Sequence, residues 1–203
     1  MTVHNSKTLQ EWTRYLFPDE VGEIKRLANL LRENPTVVNF GAGNGTSGMA
    51  FIEARPDLKL VTIDIMRHDS PFGCLLAEET HLRDAGYWDT REIEHFHSDS
   101  ARLGRVWVKR QGRGKVDMVF VDGGHVAPQP EQDILAWLPN IRKGGIIAVH
   151  DYKKNTAYKP EHTTDNTPHP KPWPDVDDAV DRLLVPKFER IGLIDTLISF
   201  RVK

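Results

Sequence analysis

TVVNFGAGNGTSGMAFIEARPDLKLVTID, residues 36–64, is the stretch whose reading decides the fold. TVVNF (36–40) is a short β-branched run and reads as a strand. It stops at Gly41-Ala42-Gly43-Asn44-Gly45, where glycines let the backbone turn sharply and let a ligand approach without a Cβ in the way. Thr46 and Ser47 can cap a helix running through Met49, Ala50, Phe51 and Ile52, whose first amides would face an electronegative group. LKLVTID (58–64) is the next strand, and Asp64 closes it about 20 residues after the glycine loop, where an acid can take both hydroxyls of a ribose. A glycine loop alone is weak evidence; strand, loop, helix, strand and acid in that order are much stronger.

The same alternation extends outward. Upstream, KTLQEWTRYLF (7–17) and DEVGEIKRLANLLRE (19–33) read as two amphipathic helices. In the second, Val21, Ile24, Leu27, Leu30 and Leu31 share one face, Asp19 is the expected N-cap and Pro35 the stop. Downstream, EHFH (94–97) is a third strand, and VDMVFV (116–121) has the continuous apolar character of a strand covered on both faces. Pro130 fits position N1 of a helix carrying Ile134, Leu135, Trp137 and Leu138. Gly144-Gly145 precede a further strand, IIAVH (146–150). FERIGLIDTLISFRVK closes the chain as a hairpin turning at Asp195-Thr196. This rhythm predicts a mostly parallel sheet with right-handed crossovers. Two stretches break it: an insert over 66–93, and the proline-rich 152–174, read as a lid loop.

Composition narrows the classes. With 203 residues, the chain reads as one domain, 1–203. It carries 39% hydrophobic residues and a formal net charge of -2, which disfavours wholesale disorder and a basic nucleic-acid-binding module. No run approaches the length of a membrane span, and no signal-peptide core opens the chain, so a cytoplasmic protein is expected. Cys74 is the single cysteine, so any metal would rest on Asp and His. The basic run from Lys109 to Lys115 reads as a solvated turn. Nine histidines are unevenly placed, and two of them stand at strand ends beside acids: Asp122-Gly123-Gly124-His125 after one strand, His150-Asp151 after the next. Open α/β sheets bind ligands outside such strand ends.

The Gly41, Gly43, Gly45 spacing, with Thr46 where a dinucleotide fingerprint wants a third glycine, resembles motif I of the class I S-adenosylmethionine-dependent methyltransferases. The resemblance implies a Rossmann-like α/β fold, with a seven-stranded mostly parallel sheet, a C-terminal antiparallel hairpin and helices on both faces. It implies S-adenosylmethionine as cofactor, contacted by Asn39, Gly41, Gly43, Gly45, Asp64, Ser98, Asp99 and Asp122. Asn39 departs from the acid usual two residues before the first glycine and supplies no charge. Asp99 reads equally well as the N-cap of a following helix. From Val116 to Tyr152 the chain resembles the branch with macrolide- and sugar-modifying O-methyltransferases and cephalosporin-hydroxylase-like proteins. Carried over, His125 and Asp122 become the catalytic pair, with His125 as general base, and Asp122, Asp151 and His150 the ligands of a divalent cation, magnesium or another.

The implied activity is O-methylation of a small hydroxylated acceptor, sugar-like or a secondary metabolite. Metal-independent N-methylation of a small molecule is the alternative within enzymes. A non-catalytic S-adenosylmethionine-binding or oligomerisation module is the alternative outside them. The expected partners are a small-molecule acceptor and, if the chain self-associates, a homo-oligomer; neither nucleic acid nor membrane is expected.

Overall fold

The computed structural model describes residues 16–68, 74–152 and 173–203. The helix expected over 7–17 falls almost wholly outside them, as does the lid loop with Tyr158, His162 and His169. In chain order the elements are α1 (Pro18–Asn29), β1 (Thr36–Phe40), α2 (Thr46–Ala54), β2 (Lys59–Asp64), α3 (Leu75–Asp84) and β3 (Glu92–His97). They continue with α4 (Ser100–Gln111), β4 (Val116–Val121), α5 (Gln129–Trp137), β5 (Ile141–Val149), α6 (Pro174–Leu183), β6 (Glu189–Ile194) and β7 (Leu197–Arg201). The seven strands lie in the order β3-β2-β1-β4-β5-β7-β6. The first five are parallel, and β7 runs antiparallel to both β5 and β6. This is the seven-stranded, mostly parallel sheet with a C-terminal antiparallel hairpin that the resemblance implied.

Alternation along the strands builds two cores. Val38 and Phe40 of β1 point with Val61 and Ile63 of β2 into one cluster, closed by Trp107 of α4, Trp137 of α5 and Val180 of α6. Val37, Leu60, Met118 and Phe120 point the other way, under Ile24 and Leu27 of α1 and Phe51 of α2. Trp137 is fully buried, and its indole N–H donates to Ser100 O at 2.8 Å, so its one polar atom is satisfied. At the end of the sheet away from the site, buried Asp117 accepts hydrogen bonds from Arg32, Arg142 and the Thr36 amide, tying the α1–β1 connection, β1, β4 and β5 together.

Several boundaries differ from the sequence reading. Helix α1 begins at Pro18, with Phe17 rather than Asp19 as N-cap, and ends at Asn29. Proline's fixed φ suits the first turn, and the Glu20 carboxylate accepts from the Phe17 amide. Strand β5 starts at Ile141, because Gly144 and Gly145 bulge the strand where its pairing with β4 shifts register. The 66–93 segment holds a crossover helix, α3, that buries Leu75, Glu78 and Leu82. Helix α6, unread in the sequence, follows directly on the proline-rich stretch and buries Val176, Ala179, Val180 and Leu183.

Candidate active site

The strand order reverses between β1 and β4, which are parallel neighbours whose crossovers leave in opposite directions. The loops after their carboxyl ends therefore part and open a crevice. Gly41, Gly43 and Gly45 all have positive φ, at 77°, 51° and 84°. At Gly41 the requirement is double, since a Cβ there would stand 2.1 Å from Asp122 O on the neighbouring strand end. Around Gly43, by contrast, a Cβ would meet nothing within 4 Å, so the loop's tip faces open space.

Asp64, at the end of β2, accepts from the Ala42 amide at 2.8 Å and the Met66 amide at 2.7 Å, which fixes its carboxylate against the glycine loop. The Ser98 amide donates to Asp64 O, bringing the β3 end alongside. Asp99 caps α4 by accepting from the Arg102 amide at 2.6 Å, and the Ser98 hydroxyl donates to Asp99 O. Thus Gly41, Gly43, Gly45, Asp64, Ser98 and Asp99 line up along successive strand ends. Asn39 does not join them. It is fully buried beneath the loop, where Ser47 Oγ donates to its Oδ1 at 3.2 Å.

At the next two strand ends four titratable groups meet. His125 Nε2 lies 2.8 Å from Asp151 Oδ2 and 3.8 Å from Asp122 Oδ1. His150 Nδ1 lies 3.2 Å from Asp122 Oδ1 and 3.4 Å from Asp151 Oδ2, while its Nε2 lies 3.1 Å from Glu20 Oε2. Asp151 holds φ at 62°, the left-handed region that a non-glycine residue seldom adopts and that clusters at functional sites. The ring of Trp173 stacks on His125, with centroids 4.8 Å apart.

The electrostatics follow from this packing. Burial pushes the Asp122 and Asp151 carboxyls up, but the His150 charge and the two imidazoles facing them outweigh it. Asp122 is held below the usual carboxylate range and Asp151 well below. Burial alone would lower His125, yet the Asp122 and Asp151 carboxylates facing its Nε2 raise it to about 9. His150 is raised well above its ordinary value, against its burial, chiefly by Asp122 and Glu20.

Asp122, His125 and Asp151 form the one group among the described residues whose ligand atoms converge, within 4.8 Å, as a metal would need. His150, expected as the third ligand, does not join it. It is 6% exposed and both its nitrogens face carboxylates. His125, expected as base, stands in that group instead. The donor set fits a divalent cation: two carboxylates and an Nε2 that finds no hydrogen bond of proper geometry among the described residues. Glu20 was missed in the sequence, because nothing in a helical DEVGEIKR marks one acid as facing a strand end 130 residues away.

A family model described as a methyltransferase domain matches residues 38–152. The chain belongs to this methyltransferase family. Solved structures share the fold. A caffeoyl-CoA O-methyltransferase assigned in Staphylococcus aureus superposes with a TM-score of 0.69 at 14% identity, covering 98% of this chain and 94% of that one. TomG of Streptomyces achromogenes, an O-methyltransferase of tomaymycin synthesis in complex with SAM, gives 0.65 at 18% identity, over 98% and 91%. Podospora anserina PaMTH1, bound to SAH, gives 0.63 at 18%, over 96% and 86%. No curated protein matches the sequence. Family and fold together make the chain a methyltransferase with the class I architecture. Its glycine loop and the Asp122 strand end both fall inside the matched region.

Proposed function

We propose that this methyltransferase transfers a methyl group to the hydroxyl oxygen of a small acceptor, sugar-like or a secondary metabolite. The observation that carries the reading is His125, held by Asp122 and Asp151 at the crevice between the β1 and β4 ends. The O-methyltransferases among the structural neighbours support it.

S-Adenosylmethionine supplies an electrophilic methyl on a cationic sulfur. The Gly41–Gly45 loop leaves room for it, and Asp64 stands where a ribose would meet an acid. The acceptor oxygen must lose its proton as it attacks. His125 takes that proton at Nδ1, while Asp151 and Asp122, facing its Nε2, orient the ring and stabilise the imidazolium. Trp173 covers one face of His125, which limits water there and leaves an aromatic wall suited to a sugar face. Because the two carboxylates raise His125 to about 9, its base form grows with pH, and transfer accelerates as the pH rises toward that value.

A second reading rests on the convergence of Asp122, His125 and Asp151. A divalent cation held by these three would polarise the acceptor hydroxyl and lower its pKa, with His125 as ligand in place of base. The mixed nitrogen and oxygen donors suit manganese, zinc or iron better than magnesium.

The test is His125→Ala, assayed for methyl transfer from labelled S-adenosylmethionine to acceptors found by screening. Transfer falls by about 10²–10⁴ while cofactor affinity stays within about twofold. Unchanged transfer would remove the base assignment. Elemental analysis and a chelator titration then separate the two readings: a stoichiometric metal, lost together with activity, favours the second.

A further inference from the structure

Behind the glycine loop, on the side of the sheet covered by α2, sits a carboxylate that the mechanism above does not use. Glu78 of α3 is fully buried. Its Cα and stem lie 3.1–3.4 Å from where a Cβ on Gly45 would stand, and its Oε1 lies 2.0 Å from the same point on Gly48. Gly48 has an ordinary helical backbone, so it is small because Glu78 is there. One turn further along α3, His81 Nδ1 lies 2.5 Å from Asn44 O, inside the loop itself. Helix α3 therefore braces the loop from behind.

Glu78 Oε2 lies 2.7 Å from His95 Nε2, yet neither carboxylate oxygen has a hydrogen bond of proper geometry among the described residues. Asn39, Thr62 and His95 run in register across β1, β2 and β3 below the same loop, and Asn39 Nδ2 and Thr62 Oγ1 are also without a hydrogen bond there. Among these neighbours only the His95 imidazole can carry positive charge. A buried carboxylate so thinly compensated is costly, and a cation arriving at the loop relieves that cost. S-Adenosylmethionine brings one. It differs from its product, S-adenosylhomocysteine, by a methyl group and the positive charge on sulfur.

We propose that Glu78 is a specificity-determining residue, whose carboxylate behind Gly45 and Gly48 favours the cationic cofactor over the product with neutral sulfur. The proposal rests on the S-adenosylmethionine reading of the loop. Asn39 brings no charge to this face of the sheet, and Glu78 brings it from another element. Attraction between unit charges falls only as the inverse of distance, so Glu78 acts without touching the ligand. The consequence is functional: once the methyl leaves, the loop holds what remains less tightly, which assists product release.

Calorimetric titration of the full chain with S-adenosylmethionine and with S-adenosylhomocysteine tests this. Glu78→Gln, nearly isosteric, weakens binding of the first about tenfold, or about 1.4 kcal/mol, and of the second less than about twofold. Glu78→Asp, which keeps the charge, holds the ratio of the two affinities within about threefold of the native value. A folded Glu78→Gln variant with an unchanged ratio overturns the proposal, since a merely structural residue would weaken both ligands alike. Should that variant not fold, His95→Phe reads the same charge from its other side. With the competing imidazole gone the preference for the cationic ligand rises, and an unchanged ratio overturns the proposal. A native chain that binds neither ligand overturns the cofactor reading itself.

Discussion

At the end of β5 a single imidazole meets three carboxylates. His150 has Asp122 and Asp151 on one nitrogen and Glu20 on the other, so both nitrogens act as donors and the ring carries a positive charge. This charge, rather than hydrogen bonding alone, keeps Asp122 and Asp151 ionised in a buried setting. Asp133 shows the opposite case. It is fully buried, with Ser100 Oγ and Gln129 Nε2 donating to one oxygen, while the other has no hydrogen bond among the described residues. Burial pushes its pKa up to about 6, and those bonds recover only part of the cost. The native state therefore binds more protons than the unfolded chain between about pH 4 and 6, and stability falls as the pH rises through that window. The penalty is about 3 kcal/mol above it. Asp133→Asn removes it. Urea melts at pH 7.5 and 4.5 are expected to favour the variant over the native chain more at the higher pH, and an equal difference at both would refute the assignment.

Among the elements, α1 is bound to the site rather than merely packed beneath it. Glu20 is fully buried, with Thr196 donating to it from both its amide and its hydroxyl and His150 facing its other oxygen. One carboxylate thus joins α1, the end of β5 and the β6–β7 turn. Removing it leaves His150 charged and half-compensated, which is the expensive way to break a buried pair. Glu20→Ala is expected to cost about 3–5 kcal/mol by denaturant unfolding. A loss below about 1 kcal/mol would mean that the α1 contact is incidental. Helix α3 stands in a similar relation to the glycine loop, through Glu78 and His81. Both helices carry polar groups inward whose partners lie far away in the sequence.

For the whole molecule, the topology decides where chemistry can happen. Parallel strands running outward from the β1/β4 boundary leave their carboxyl ends on one rim, and that rim gathers the glycine loop, Asp64, Asp99, Asp122, His125 and Asp151. No helix among the described residues is long and apolar enough to cross a membrane. A ligand bound on this rim stabilises only the folded chain. At about 100 times its dissociation constant S-adenosylmethionine adds about 2.7 kcal/mol, which for a domain of this size is a rise in Tm of about 5–10 °C. Differential scanning fluorimetry reads it directly. An unchanged Tm at saturating S-adenosylmethionine would exclude binding to the native state.

The amino-acid order alone specified whatever depends on local physics. β-Branched runs ending in glycine, the acid that closes β2, and the hairpin at Asp195-Thr196 each rest on residues a few positions apart, so the succession of strands and the glycine loop were legible in it. Helix α3 was harder to read, because two of its three buried residues are hydrophobic and the third, Glu78, is an acid that looks like surface. The candidate site was legible as two strand ends carrying Asp122, His125, His150 and Asp151, but the division of labour between the two histidines was not. Packing between distant elements made that division. It placed Glu20, 130 residues upstream of His150, against the far nitrogen of that ring, and left His125 facing the crevice. Which imidazole is clamped between carboxylates on both nitrogens and which stays partly exposed at the rim depends on what lies behind each ring, and that is fixed only when the tertiary structure forms.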